Sequence, residues 1–280
     1  MIAAGRAASW RRVRRLCVVL AAAAAIAIIA GWAMPQAGRR IVLAEGLAPP
    51  SLSHPLGQDR LGRDVLGRCL GGARVSLLVA TAAVAVSVTV GTAVGAAAGL
   101  SGGTVDLVLM RAVDVLLAFP GLLVAIALAA ALGPGTANVV VALSVLGWTG
   151  YARLVRAEVR RVRRRDHVEA AVALGASPLR VALRHVLPLV AAPVLVQATF
   201  TAAAAVVAEA SLSFLGIGIQ PPSPSWGSML AEARSFLVEA PWLVIGPGVA
   251  LTSLALALQL LGDALRDALD VKTTLRTLPG

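Results

Sequence analysis

Few residues of this 280-residue sequence have side chains that could do chemistry, because 58% of it is hydrophobic and 14% charged. Glu209 stands out: it lies in the outer half of an apolar span, is followed by Ser211 and Ser213, and has no charge partner nearby in sequence. An ionisable group inside a span is costly, which makes these three a candidate lining for a transport pathway. Asp106, Arg111 and Asp114 open another apolar run, where Arg111 and Asp114 stand three apart and are expected to pair with each other on one helix face. His54, His167 and His185 lack metal-ligand spacing, so no metal site is expected, and Cys17 and Cys69 read as unpaired packing residues. There is no HExxH, GxSxG or clustered His/Asp pattern, so no catalytic residue is named and the chain is not read as an enzyme. Its one lysine, Lys272, follows Val271 rather than the glycine of a phosphate-cradling loop, so ATP hydrolysis, if used, belongs to another polypeptide.

The elements that position these groups follow from hydropathy. A mean hydropathy of +0.85 and this apolar content indicate an all-α polytopic membrane protein. A bilayer-crossing helix needs roughly 20 apolar residues, and six runs qualify: 16 to 34, 75 to 100, 107 to 132, 137 to 152, 186 to 208 and 240 to 262. The first follows the basic Arg11-Arg12-Val13-Arg14-Arg15; it exceeds a signal-peptide core and lacks an A-x-A cleavage site, so a retained anchor is expected. With the N-terminus inside, the cytoplasmic segments carry 17 of the 25 basic residues and the external ones 7, which puts both termini in the cytoplasm. The expected organisation is a basic N-terminus (1–15), an anchor span (16–34), an external segment (35–74), a core of five spans (75–265) holding a cytoplasmic loop (158–188), and a cytoplasmic tail (266–280). Aromatics are only 4%, so helix packing must rely on small residues. Gly91, Gly95 and Gly99, four apart, predict a groove for a second helix backbone. In the external segment Leu61, Val65, Cys69, Leu66 and Leu70 share a side of a helical wheel, which predicts an amphipathic helix at the membrane surface. Pro221, Pro222 and Pro224 predict a stiff outer loop.

The longest polar stretch, "RRVRRRDHVEAAVALGASPLRVALRHVLPLV", should be a built element. Asp166 followed by Glu169 predicts a capping-box helix start. Gly175 supplies the stop, and Ser177-Pro178 the restart, Ser as N-cap and Pro at the first helical position. The second helix should run to about Leu187, with Pro188 marking the return to the membrane. Ala170 and Ala171 allow another protein surface close, and the arginines at 160, 161, 163, 164 and 165 suit anionic lipid heads. Docking of a partner is the expected role, against a plain connector in which Glu169 serves only as a cap.

These residues resemble the EAA loop of ABC importer permeases, E-A-A-x-x-x-G and, nine residues on, hydrophobic-x-L-P. "EAAVALG" and Leu187-Pro188 match its spacing, with His185 where an aliphatic residue is usual. "HPLGQDRLGRDVLGR", "MRAVDVLLAFP", "GWTGYARLVR", "AEASLSFLGIGIQPPSPSWGSML" and "LGDALRDALD" are similar to the C-type subunit of the dipeptide, oligopeptide and nickel subfamily, over roughly residues 54 to 270. The resemblance implies a type I importer permease fold in the inner (cytoplasmic) membrane. It also implies a homologous second permease subunit, two ATP-binding cassette subunits that carry ATP-Mg, and an extracytoplasmic solute-binding protein. This chain then needs no cofactor, binds no nucleic acid, and docks on an ATPase through Asp166, Glu169, Ala170, Ala171, Gly175, Ser177, Pro178, Leu187 and Pro188. Di- or oligopeptides are the implied substrates, with nickel, nickel chelates or another small solute as alternatives. An ion-coupled secondary transporter is the remote rival.

Overall fold

The structure is a computed structural model and describes residues 10, 11, 13–18, 38 and 40–269. The anchor expected over 16–34 therefore lies outside the described residues beyond Val18. Among the described residues the protein is helical, with one isolated β-bridge, Gln58 to Asp64, and no strand.

From Val65 on, the described residues form eight helices: α1 (Val65–Ser101), α2 (Gly103–Leu117), α3 (Gly121–Leu132), α4 (Thr136–Arg163), α5 (Asp166–Ala173), α6 (Pro178–Phe214), α7 (Trp226–Ala233) and α8 (Trp242–Leu269). Four of them, α1, α4, α6 and α8, are long and apolar enough to cross a membrane, and α2 with α3 makes a fifth if that bent pair is one span. The run 107–132, expected as one span, is bent: α2 and α3 meet at 81°. Pro120 has no N–H to continue the helix and restricts Phe119 before it, so the hydrogen-bond ladder ends at Ala118 and restarts on Pro120 as N-cap.

The surface helix expected before α1 is also corrected. Residues 40–64 form loops and a short 3-10 turn, Leu43–Glu45, and helix begins only at Val65, where the Asp64 carboxylate accepts from the Gly67 N–H at 2.7 Å. From there α1 runs unbroken for 37 residues, about 55 Å at helical rise, longer than the roughly 30 Å hydrocarbon layer. The helical wheel is right for Val65 and Cys69, which are buried, but the surface they cover is the bundle rather than lipid.

α1 and α4 run parallel and form the central packing contact. Gly91 faces Tyr151 and the Trp148 carbonyl, Gly95 faces Ala152 and Val155, and Gly99 faces Val159. A Cβ on Gly95 would stand 2.5 Å from the Ala152 oxygen, so the glycine stripe is a close-approach surface as expected. α6 runs back against both. One end of the bundle then holds Gly102, the α4–α6 loop and the C-terminal turns of α8, where Val13 of the N-terminal helical segment packs on Ala264 and Ala268. The opposite end holds residues 40–64, α7 and the start of α8.

Candidate functional site

The α4–α6 loop is compact. α4 ends at Arg163, two residues follow, and α5 starts at Asp166 with Arg165 as N-cap (φ −90°, ψ 140°). The Arg165 carbonyl accepts from the Val168 and Glu169 N–H groups at 2.9 and 3.1 Å, and no side chain caps the helix. The capping box expected on Asp166 and Glu169 is thus not formed: Asp166 is already the first helical residue, one position too late to cap. Both carboxylates still lie in the first turn, where they favour the helix dipole. The end of α5 is as expected. Gly175, at φ +82°, donates to the Val172 carbonyl and Ala176 to that of Ala171, the paired bonds of a helix closed by a left-handed residue. Ser177 then caps α6, accepting from the Arg180 N–H at 3.4 Å, with Pro178 at the first helical position.

Pro188 does not interrupt α6. The helix is continuous from Pro178 to Phe214 because a π turn, Ala182–Val186, precedes the proline, with the Leu187 N–H donating to the Ala182 carbonyl. The expected break at Leu187-Pro188 is corrected to a local widening that absorbs the missing proline donor.

Val168 and Val181 fix the loop to the bundle: both are buried in a cluster with Val155, Val159, Val162, Val186 and Val190. The opposite face is open. Asp166, Glu169, Ala170 and Val172 are exposed, Ala171 is half-buried, and Leu174 and Leu179 are 88% and 69% exposed. The loop is a rigid wedge with an apolar outer edge.

The charges expected to open the third span are arranged differently from expectation. Arg111 and Asp114 do not pair. Asp106 receives both Arg156 and Arg160 of α4, the Arg156 Nη2 bond measuring 2.6 Å, and Asp114 receives Arg153 at 2.6 Å. Arg111 is exposed and makes no ion pair among the described residues. The reason is geometric: α2 lies on the arginine face of α4, so its carboxylates meet that helix's arginines, through a fork that satisfies both oxygens at Asp106 and through a single bond at Asp114.

Glu209 is fully buried. Ser76 of α1 donates to it at 2.6 Å and Ser213 at 2.8 Å, while the Ser213 oxygen accepts from the Ile219 N–H at 3.0 Å. Ser211 points elsewhere and bonds back to the Val207 carbonyl. Gly227 of α7 lies flat on Ala210, one residue along. Glu209 thus joins α1, α6 and the following loop. A cavity of about 270 Å³ in the bundle is walled by Ala83, Ser87, Leu122, Ala125, Gly147 and Thr201 among others, and none of Glu209, Ser211 and Ser213 lines it.

A further charged group escaped sequence reasoning. At the far end, Arg68 is nearly buried between Asp59 (2.5 Å) and Glu232 of α7 (2.8 and 3.0 Å), and Arg63 bridges the same two carboxylates at 2.6 and 3.0 Å. Trp226 adds an indole bond to the Cys69 carbonyl at 2.9 Å. Glu232 is 164 positions from Arg68, and its only local signal is that it is the sole charge in α7. His54 sits at this end beside Asp64, while His167 in α5 and His185 in the π turn of α6 lie at the other.

Comparison with known proteins agrees with this architecture. Residues 91–274 match the family described as binding-protein-dependent transport system inner membrane component. The chain is 44% identical over 270 residues to the glutathione transport system permease protein GsiD of Shigella flexneri serotype 5b (strain 8401), covering 94% of this chain and 89% of that protein. It is 43% identical, with the same coverage, to the protein of that name from Escherichia coli O6:K15:H31 (strain 536 / UPEC). The bundle of apolar helices, the wedge between α4 and α6 and these matches together place the chain in the family of binding-protein-dependent transport system inner membrane components, the permeases of ABC importers.

Proposed function

We propose that this permease forms half of a translocation path for small peptides, glutathione-like peptides included, and is driven by ATPase subunits that grip the α4–α6 wedge. The observation that carries the reading is the wedge itself: anchored inward by Val168 and Val181, it presents Glu169, Ala170, Leu174 and Leu179 to whatever lies beyond the bundle. Leucines this exposed on an ordered loop suit a protein groove better than water. Ala170 and Ala171 allow the approach, Glu169 offers a charge to a basic partner, and Gly175 and Ser177-Pro178 fix the shape of the turn. Leu187 and Pro188 lead from the wedge into the span.

The wedge end is the cytoplasmic one in this reading, which the surrounding arginines support, and both termini lie there, supported by the packing of Val13 on Ala264 and Ala268. ATP and Mg²⁺ are bound by two separate ATPase subunits, a homologous permease completes the path, and a solute-binding protein delivers substrate from outside. The relatives' names favour a peptide over nickel. In mechanical terms, closure of the ATPases on ATP pushes α5, and α4 and α6 swing as rigid rods about it.

The test is Glu169→Arg and, separately, Gly175→Val, the second forcing a branched side chain into a φ of +82°. Both should insert normally but lose co-purification with the ATPase subunits and lose ATP-driven uptake. Unchanged association and uptake in both would end the docking assignment. Mass spectrometry of the ligand carried by the co-purified binding protein identifies the substrate class.

A further inference from the structure

α2 is held chiefly from one side. Met110 and Val113 pack on Ala98 and Ala152, while Val105, Leu107, Val108, Val115 and Leu117 face outward. Its polar attachment is a two-rung ladder to α4. Arg156 forks onto both oxygens of Asp106 with Arg160 adding a second cation, and three residues before Arg156, Arg153 meets Asp114. The rungs differ in exposure: the Asp106 side chain is 8% exposed, that of Asp114 48%. A shielded bidentate fork is a stiff joint, whereas an exposed single pair is a weak one.

The ladder occupies the last three turns of α4, immediately before the two-residue link to the wedge. Arg163, in the final turn, also donates to the Gly99 and Leu100 carbonyls that end α1. At its other end α2 breaks by 81° into α3, and α3 supplies Gly121, Leu122 and Ala125 to the cavity wall. Wedge, α4, ladder, α2, elbow and cavity wall therefore form one connected chain of rigid pieces.

We propose that the Asp106–Arg156/Arg160 and Asp114–Arg153 pairs are positioning residues that carry displacement of the wedge to the α3 wall of the cavity. This rests on the reading that the wedge docks on an ATPase. A pushed α4 takes α2 with it because, among the described residues, the two carboxylates pair with no cation outside α4. The elbow at Phe119–Pro120 converts that shift into rotation of α3. Contiguity alone is not coupling, so the claim stands on a measured response.

The experiment uses the assembled transporter with its ATPase subunits, Cys17 and Cys69 replaced, and spin labels on Leu123→Cys (α3) and Leu256→Cys (α8), both exposed. Electron–electron distance distributions are recorded without nucleotide and with ATP and vanadate. The otherwise native chain should shift to a second distance on nucleotide trapping. Asp106→Asn combined with Asp114→Asn should cut the ratio of shifted to unshifted population by about tenfold, the size of an ordinary coupling between sites, and Asp114→Asn alone by about threefold, as suits an exposed pair. The swap Asp114→Arg with Arg153→Asp should restore it. ATPase co-purification must stay intact in every ladder variant, and its loss in Glu169→Arg separates failure of docking from failure of the ladder. An unchanged response in Asp114→Asn together with Asp106→Asn overturns the proposal. So does the absence of any shift in the native chain, or a response that falls only in proportion to lost assembly. Should Asp106→Asn fail to assemble, the exposed rung decides alone.

Discussion

Gly95→Ala is the sharpest probe of the helix pair on which the bundle is built. The added Cβ would lie 2.5 Å from the Ala152 oxygen and 2.8 Å from Val155 Cβ. Non-bonded carbon contacts are best at about 3.5–4.0 Å, so α1 and α4 must part by about 1 Å. A gap of that size forfeits between a quarter and a half of each contact's attraction, and neighbouring contacts at Gly91 and Gly99 loosen with it. In a membrane no hydrophobic gain from the extra methyl offsets the loss, because lipid is as apolar as the interface. The expected cost is about 2 kcal/mol, the middle of the range for overpacking. Thermal unfolding of the purified transporter in detergent measures it against Gly150→Ala on α4, where no atom stands within 4 Å of the new Cβ. Gly91→Ala with Gly95→Ala should cost less than the sum of the single changes, since the helices have already parted. Equal stability of Gly95→Ala and Gly150→Ala, within about 0.5 kcal/mol, would refute the close-approach reasoning.

Two more predictions concern the buried charges. Arg68→Ala leaves Asp59 and Glu232 with Arg63 as their remaining shared cation and should destabilise the far end by about 3 kcal/mol, the low end for breaking a buried pair given Glu232's partial exposure and the surviving Arg63 bridge. Limited proteolysis within residues 40–64 should accelerate, and less so in the triple variant Asp59→Asn, Arg68→Met, Glu232→Gln; a native cleavage rate in Arg68→Ala would count against a stabilising role for this charge group. Glu209→Ala should cost about 2 kcal/mol by stranding the Ser76 and Ser213 hydroxyls, with Glu209→Gln milder. If Glu209→Gln instead abolished uptake at unchanged melting temperature, Glu209 would be a pathway group rather than a joint.

Local signals carry far in this chain. Hydropathy locates the long apolar helices, glycine spacing locates the α1–α4 contact, and Gly175 with Ser177-Pro178 shapes the wedge correctly because each acts within one helical turn. The expected cap of α5 is off by one residue: Asp166 satisfies the local grammar of an N-cap and Arg165 does not, yet the helix starts on the Arg165 carbonyl, with no side chain capping it. The elbow at Pro120 is visible as a proline but is overruled by the apolarity around it. The charge pairs are not legible: Asp106 lies 50 and 54 positions from its partners, and Arg68 lies 164 from Glu232. Such pairs depend on which helices become neighbours, and a local reading assigns Asp114 to Arg111 because nothing nearer competes.

The π turn at Ala182–Val186 bears on how the chain tolerates changes in length. The valines of α6 in the core cluster recur at 186, 190 and 194, a spacing of four, but the step back to Val181 is five. One surplus residue is stored there, and it rotates the first turn of α6 by about 100° relative to an unbroken α-helix. Removing a residue between Leu183 and His185 would restore ideal helix geometry locally and turn Val181, and the wedge behind it, away from the valines that seat it. Along this stretch selection therefore acts on the count of residues as well as on their identity, and single-residue deletions should be absent where single substitutions survive.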